Sequence, residues 1–438
     1  MKQPIFKATA LSLALAALTP VAALAAPSNA DVAKQLEALN RRVQELEQKL
    51  AEKNATTAAS ANQDTDQRIR ILDRKLELAQ EDAKAVKTAA TKAQADADKK
   101  AKALPTFYGK LHVGIEHRDL EGAENVLAGN ARGNPGSSTG VESFASRVGI
   151  KGEVDLGAAD LKAVYQAEYE INADDGAGGE SAFSQRNVFA GLKSKTWGQV
   201  IAGKIDTPLK SAEGKFDQFN DLRGDIDNLV GGQNRVSDIV IYSTPKFFDT
   251  VTVNLAFIQP ENKADVDYDG RVDGSFGDAY SASIVAEQGI FYGALAYDKN
   301  VQARRSVDQT VPAALGTAPT GYAKTYTEAW RAVGGIKSGI WEGGVLLQQS
   351  EDQRDGAQRE DKAYVLSGAV NVLPKVKLKA QYGLAKGEFT DEKGTLAALG
   401  ADYNFTPKTR VYAYWSNLDL DEADVKDKTV AIGLDHSF

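Results

Sequence analysis

Residues 107–116 read Phe107-Tyr108-Gly109-Lys110-Leu111-His112-Val113-Gly114-Ile115-Glu116. The odd positions carry Phe, Gly, Leu, Val and Ile. The even positions carry Tyr, Lys, His, Gly and Glu. Successive side chains of a strand point to opposite faces, so the segment is a strand with one apolar and one polar face. The alternation recurs in Phe144, Ser146, Val148 and Ile150 against Ala145, Arg147, Gly149 and Lys151, and in Val251, Val253, Leu255 and Phe257 against Thr252, Asn254 and Ala256. It returns in Val376, Leu378, Ala380 and Tyr382 against Lys375, Lys377, Lys379 and Gln381, and in Val411, Ala413 and Trp415 against Arg410, Tyr412 and Tyr414. A soluble sandwich alternates in the same way. Strand number and spacing therefore decide the architecture.

Sixteen such strands are predicted, near 106–118, 144–153, 161–170, 186–193, 198–204, 236–243, 250–258, 278–285, 290–298, 328–336, 341–349, 362–372, 376–386, 394–404, 408–417 and 428–438. The gaps alternate in length. Gaps 154–160, 194–197, 286–289, 337–340 and 373–375 are short, whereas 119–143, 205–235, 259–277, 299–327 and 350–361 are long. An even strand number with short turns on one side and long loops on the other is the mark of an outer-membrane barrel. Closure pairs every backbone group, as hydrocarbon requires. In the last strand Val430, Ile432, Leu434, His436 and Phe438 share one face. The predicted fold is an all-β membrane protein, a sixteen-stranded antiparallel transmembrane β-barrel preceded by an α-helical coiled-coil segment.

The residues before the barrel read differently. Lys2 and Lys7 precede an apolar run from Ala8 to Leu18 and a small-residue site at Ala23-Leu24-Ala25, so residues 1–25 read as a signal peptide. Residues 26–103 form a helical extension. Val32, Leu36, Leu39, Val43, Leu46 and Leu50 make an a/d seam over 31–53, and a second seam runs Ile69, Leu72, Leu76, Ala79, Ala83, Val86, Ala90, Ala93, Ala97. The polar stretch 54–65 breaks the register between them, and Pro105 ends the helix before the barrel of 104–438. The coil precedes the barrel, which places it in the periplasm.

Composition narrows the function. The chain has 438 residues, 42% hydrophobic and 26% charged, with no Cys, which removes thiolate metal sites and disulfides. No segment is apolar enough for a transmembrane helix. The net charge is −8; the signal carries +2 and residues 27–102 a further +2, leaving −12 on residues 103–438. So acidic a body argues against nucleic acid as a partner. Parity puts Lys110, Arg147 and Arg186 on the polar, lumen-facing side, with Lys151, Lys377, Lys379 and Arg410. Asn187 falls on the lipid-facing parity.

Several stretches resemble the general (diffusion) porins of Gram-negative bacteria: Phe107-Tyr108-Gly109-Lys110-Leu111, Ser146-Arg147-Val148-Gly149-Ile150-Lys151-Gly152-Glu153, Arg186-Asn187-Val188-Phe189-Ala190-Gly191-Leu192-Lys193, Asn234-Arg235 with Tyr242-Ser243-Thr244-Pro245, and the terminal Gly433-Leu434-Asp435-His436-Ser437-Phe438. They occur in family order over roughly 104–438. The resemblance implies a homotrimer of sixteen-stranded barrels in the outer membrane, amid lipid and lipopolysaccharide. The ending on Phe438 resembles the signal read by the barrel-assembly machinery. The helical region resembles the periplasmic extensions of some trimeric porins, where it could reach peptidoglycan. The resemblance also implies that the third long loop, about 205–235, folds into the lumen. It places Arg235 with Lys110, Arg147 and Arg186 in a basic ladder, facing the loop acids Asp206, Asp217, Asp221, Asp225 and Asp227. Opposed charges at a constriction sieve solutes by polarity and need no tight site. Ile241 stands where many relatives carry a polar or basic residue.

Weaker motifs carry little. Asp265, Asp267 and Asp269 begin like a Ca²⁺ loop, but position twelve is Phe276, where a bidentate Glu is needed. Gly198 to Lys204 mimics a phosphate-binding loop, yet Ile205 replaces the Ser/Thr and the segment reads as a strand. His112, His117 and His436 are the only histidines and form no catalytic set, so neither an enzyme nor a cofactor is expected. The expected function is passive diffusion of small hydrophilic solutes and ions through a water-filled channel. The alternatives are a substrate-selective channel, or a tether to peptidoglycan through the coil.

Overall fold

The structure is a computed structural model that describes residues 29–56, 63–103, 105–122, 136–174, 183–259, 277–302, 326–354, 357–387, 393–421 and 424–438. The residues read as a signal peptide, 57–62 of the coil break and the Asp265–Asp269 motif lie outside the described residues. The chain divides into two units, Met1–Ala101 and Lys102–Phe438.

The first unit holds helices α1 (Asn29–Thr56) and α2 (Gln63–Ala103). Neither contains Pro or Gly, the two residues that weaken a helix interior most. Exposed pairs one turn apart, Arg41 with Glu37 at 3.0 Å and Lys49 with Glu45 at 2.7 Å, support the helix weakly. Leu39, Val43, Leu46 and Leu50 are half-buried along α1, as are Ile69, Leu72, Leu76, Ala79, Ala83 and Ala90 along α2, whereas Val86 is exposed.

The second unit is a closed antiparallel barrel. Its strands are β1 (Thr106–Glu121), β2 (Gly136–Ser143), β3 (Arg147–Asp155), β4 (Lys162–Ile171), β5 (Phe183–Ser194), β6 (Gly198–Asp206), β7 (Arg235–Ser243), β8 (Val251–Ile258), β9 (Ala279–Gln288), β10 (Phe291–Gln302), β11 (Tyr326–Ser338), β12 (Trp341–Arg354), β13 (Ala357–Leu373), β14 (Val376–Gly387), β15 (Lys393–Thr406), β16 (Thr409–Leu420) and β17 (Val425–Ser437). Successive strands pair, except β2 with β3, and β1 closes the ring on β17 from Lys110 opposite Ser437 to Glu121 opposite Lys426. Both β2 and β3 lie against β1, β2 along Val113–Leu120 and β3 along Thr106–Lys110. They are two halves of one strand, so the barrel has sixteen.

The barrel departs from the sequence pattern in three places. The second barrel strand begins at Gly136, not near 144, and it is interrupted at Phe144-Ala145-Ser146. Ala145 takes a φ of 53°, in the left-handed region. The period of two therefore fails locally, and Phe144 and Ser146 turn inward and are buried, with the Phe144 ring 5.2 Å from His112. Second, the gap 350–361 is mostly ladder: β12 and β13 stay paired out to Arg354 opposite Ala357. Beyond the hydrocarbon band both faces are wet, so pairing continues without an apolar alternation to betray it. Third, Asn187 does not face lipid. A bulge in β5 puts Arg186 and Asn187 together opposite Glu168, and Asn187 donates to Asp206 at 3.0 Å.

Large apolar side chains stand on the outside: Leu295 is 61% exposed, Trp330 63% and Ile432 60%. Polar ones are buried within, among them Arg331, Asp402, Lys379 and Ser281. In water this would be inverted; in a bilayer the outer face meets hydrocarbon. Aromatic side chains cluster toward both rims, Tyr280, Tyr297 and Trp330 near the long-loop end and Phe291, Trp341 and Phe405 near the short turns. Two-residue turns such as Gly289-Ile290 and Gly339-Ile340 use the positive φ of Gly289 (59°) and Gly339 (54°). The apolar core lies inside the barrel, where Leu209, Ala212, Phe216, Ile226, Leu229 and Val230 pack on Ala294, Val333, Leu346, Val365 and Leu396 of the inner wall.

Candidate functional site

That inner core exists because the segment between β6 and β7, residues 207–234, folds back into the barrel. Its local structure is set by side-chain caps. Thr207 accepts from Lys210 N at 3.2 Å and starts the short helix α3 (Pro208–Ser211), with Pro208 at the first position, where its missing N–H costs nothing. Asp225 accepts from Asp227 N at 2.7 Å and caps a 3₁₀ turn over Ile226–Asn228. Asp217 accepts from Phe219 N at 2.7 Å and Ile226 N at 3.0 Å.

The segment has two sides. Its apolar side faces β9 to β16, and glycines on that wall make room for it. A Cβ on Gly383 would stand 2.5 Å from Leu229 Cδ2, and one on Gly400 would stand 3.1 Å from Phe219 Cε1. Wall side chains satisfy its backbone. Leu209 N donates to Ser281 Oγ at 3.1 Å, Gln381 Nε2 donates to Gly224 O at 2.8 Å, and Tyr292 OH donates to Ala212 O at 2.7 Å.

The polar side borders an open space of about 850 Å³ lined by Asp206, Glu213, Asp221, Asp225 and Asp227, and across from them by Glu142, Glu170, Arg186, Lys204 and Arg235. Asp221 sits at φ 68°, a conformation Asp tolerates better than most residues. From there Asp221 Oδ2 lies 3.0 Å from Lys110 Nζ and 3.2 Å from Arg147 Nη1. Burial pushes its carboxyl up, but Lys110, Arg147 and Arg186 outweigh burial and hold it at about 2.

The basic ladder is therefore ion-paired. Lys110 is also 3.7 Å from Asp435; Arg186 binds Glu168 at 2.8 Å and Glu170 at 2.7 Å; Arg235 Nε is 3.0 Å from Asp206. Of the other lumen bases, three are ion-paired and Lys151 stacks on a ring. Lys379 pairs with Asp402 at 3.1 Å under the Phe219 ring, Arg410 joins Asp402 and Asp435, Lys377 pairs with Glu342, and Lys151 lies over the Tyr108 ring at 4.8 Å. One continuous line of charge runs Lys379, Asp402, Arg410, Asp435, Lys110, Asp221, Arg147.

Of the five acids, Asp221 alone bridges the segment to the ladder's start on β1 and β3. Asp206 ends β6 beside Arg235. Asp225 and Asp227 line the space. Asp217 does not reach it: the carboxylate is spent on the segment's own N–H groups. Burial raises the carboxyls of Asp217 and Asp225, and in Asp225 the neighbouring charges of Asp217 and Asp227 raise it further. Glu213 is pushed up by burial to about 7, against the pull of Arg331.

The wall acids Glu168, Glu170, Asp402 and Asp435 escaped the sequence reading, although they share the lumen parity of the bases. Lys204 escaped as well, inside the phosphate-loop lookalike; it lines the space and forms no ion pair with described residues. Ile241 is buried on the inner wall with Ile201 and Ile239. Among the described residues no group of His, Asp and Glu is placed to hold a metal ion.

Residues 83–423 match the family model described as Gram-negative porin. An outer-membrane porin protein of Bordetella pertussis is 26% identical over 376 residues, covering 76% of this chain and 94% of the relative. A major outer membrane protein P.IB of Neisseria meningitidis is 25% identical over 351 residues, with the same coverage. Among solved structures, an anion-selective porin from Comamonas acidovorans superposes with a TM-score of 0.57 at 20% identity, covering 76% of this chain and 99% of that one. OmpF of Salmonella typhi, solved with daunomycin, gives 0.55 at 18%, with coverage of 77% and 98%.

Proposed function

The chain belongs to the Gram-negative porin family and is an outer-membrane channel for passive diffusion, and from that premise we propose that the 207–234 segment is its filter for small hydrophilic solutes and ions. The observation that carries this reading is the two-sidedness of the segment: its apolar side is glued to the wall, and its charged side borders the open space of about 850 Å³. Acids on that side and bases on β3, β5, β6 and β7 set up a field across the waist. A polar solute can orient its dipole in such a field; an apolar one must displace ordered water and gains nothing. Conduction then depends on size and polarity rather than on a tight site.

Liposome swelling with sugars of graded size tests the filter. Small sugars should enter at rates that fall steeply with size, and replacing residues 210–229 by a short Gly-Ser linker should lift the cut-off. An unchanged cut-off in the shortened protein would remove the segment from this role. A solute that blocks current specifically would favour the substrate-selective alternative.

We also infer a homotrimer whose helices lie in the periplasm and join as a three-stranded coil. What supports this is the half-buried Leu/Val seam with polar flanks on α1, and the start of β1 at the short-turn end, the periplasmic end in such barrels. Cross-linking of the full chain, compared with one lacking 31–102, tests it. A trimer of unchanged stability without the coil would leave the coil no part in assembly.

A further inference from the structure

We propose that Arg331, on the wall of β11 and outside the charged line described above, is the positioning residue that sets the aperture by clasping both ends of the 207–234 segment. The proposal rests on that segment being the filter. Arg331 Nη1 donates to Leu209 O at 3.2 Å and Nη2 to Gly231 O at 3.0 Å. These carbonyls are 22 residues apart in the chain and belong to the segment's first and last turns. Arg331 Nε donates to Gln348 Oε1 at 2.8 Å, and Gln348 Nε2 returns a second donor to Gly231 O at 3.0 Å. Gly232, with φ 81°, brings the returning chain so close that a Cβ there would stand 2.7 Å from Leu209 Cδ2 and 3.5 Å from Arg331 Nη2.

Arg331 is 2% exposed. A buried cation is tolerated only where hydrogen bonds and opposite charge surround it. Here the nearest acid of the segment is Glu213, at 3.9 Å, itself accepting from Gln233 Nε2 at 2.7 Å. Arg331 itself is absent from the lining of the open space, which its neighbours Glu213 and Gln233 reach. The planar fork of an arginine reaches two carbonyls at fixed spacing, which a lysine cannot do. The residue thus ties the segment's two ends to each other and to the wall, and the ends fix how far the acidic side stands from Arg186 and Arg235.

The test compares Arg331→Lys, Arg331→Gln and Gln348→Ala in the full chain, each first checked as a folded, heat-modifiable barrel. Losing hydrogen bonds to a charged group should raise the undocked population of the segment by about tenfold or more. In planar bilayers Arg331→Gln should show frequent brief sub-states and a current noise raised by a similar factor, with Arg331→Lys intermediate and Gln348→Ala milder in the same direction. The mean reversal potential should move little, because Arg331 itself does not line the space. Quiet wild-type currents in all three folded variants would overturn the proposal. If Arg331→Gln fails to fold, Gln348→Ala decides alone: wild-type noise overturns it. Should loop shortening leave the sugar cut-off unchanged while Arg331→Gln is noisy, the filter reading fails and the clasp stands.

Discussion

Asp221 Oδ2 lies 3.0 Å from Lys110 Nζ, so the segment's tip is ion-paired to the first strand of the barrel. With Arg147 on the same oxygen, one carboxylate neutralises much of two bases. Asp221→Asn should free Arg147 and leave Lys110 with Asp435 alone at 3.7 Å, and the reversal potential in a salt gradient should move toward anions. No movement would mean that the bases remain neutralised by Asp435 and its neighbours.

Glu213 should give the channel a pH dependence in the neutral range. Its carboxyl rises from 4.5 to about 7 in the docked segment, worth on the order of 3 kcal/mol. The proton is held more tightly folded than unfolded, so this contribution is fully present below about 4.5 and is lost as pH rises through about 7. Current noise should therefore be lower at pH 5.5 than at pH 8.5, and Glu213→Gln should be flat across that range. Asp221 acts oppositely, since its pairing is lost only as pH falls from the ordinary carboxylate range toward about 2. A noise minimum at high pH would contradict the assignment to Glu213.

Gly383 and Gly400 are absences that the segment occupies. Gly383→Val should push Leu229 off the wall and cost about 1–3 kcal/mol of docking, as overpacking does. Swelling assays should then report faster entry of large sugars, with the barrel's heat-modifiability retained.

Lys204 lines the open space and forms no ion pair with described residues. Lys204→Gln should therefore shift the reversal potential toward cations more than Arg186→Gln does, since Arg186 is already held by Glu168 and Glu170. Equal shifts would show that pairing does not mute a wall charge.

The barrel was legible because its strands obey one rule, apolar out and polar in, over sixteen repeats. The rule failed where local backbone chemistry overrode it. At Ala145 and at the β5 bulge, parity flipped without any mark in the residue pattern. In β12 and β13 the ladder outran the apolar signal, because polar pairing needs no membrane. The candidate bases were visible as charged residues at lumen parity, but their partners were not. Which of Glu168, Glu170, Asp402 and Asp435 meets which base depends on strand stagger, and the tip of 207–234 reaches Lys110 from 111 residues away. Arg331 was just one more charge in a strand until the returning segment supplied two carbonyls for it.

The most direct test of a water-filled channel with a docked charged waist is single-channel current from the full chain in a planar bilayer under a salt gradient. It should be run beside the variant in which 210–229 is a short linker. The wild type should give large, ohmic open steps, and the variant a higher conductance with a weaker ion preference. Folded, heat-modifiable barrels that pass no current, or two proteins with the same conductance and reversal potential, would contradict it.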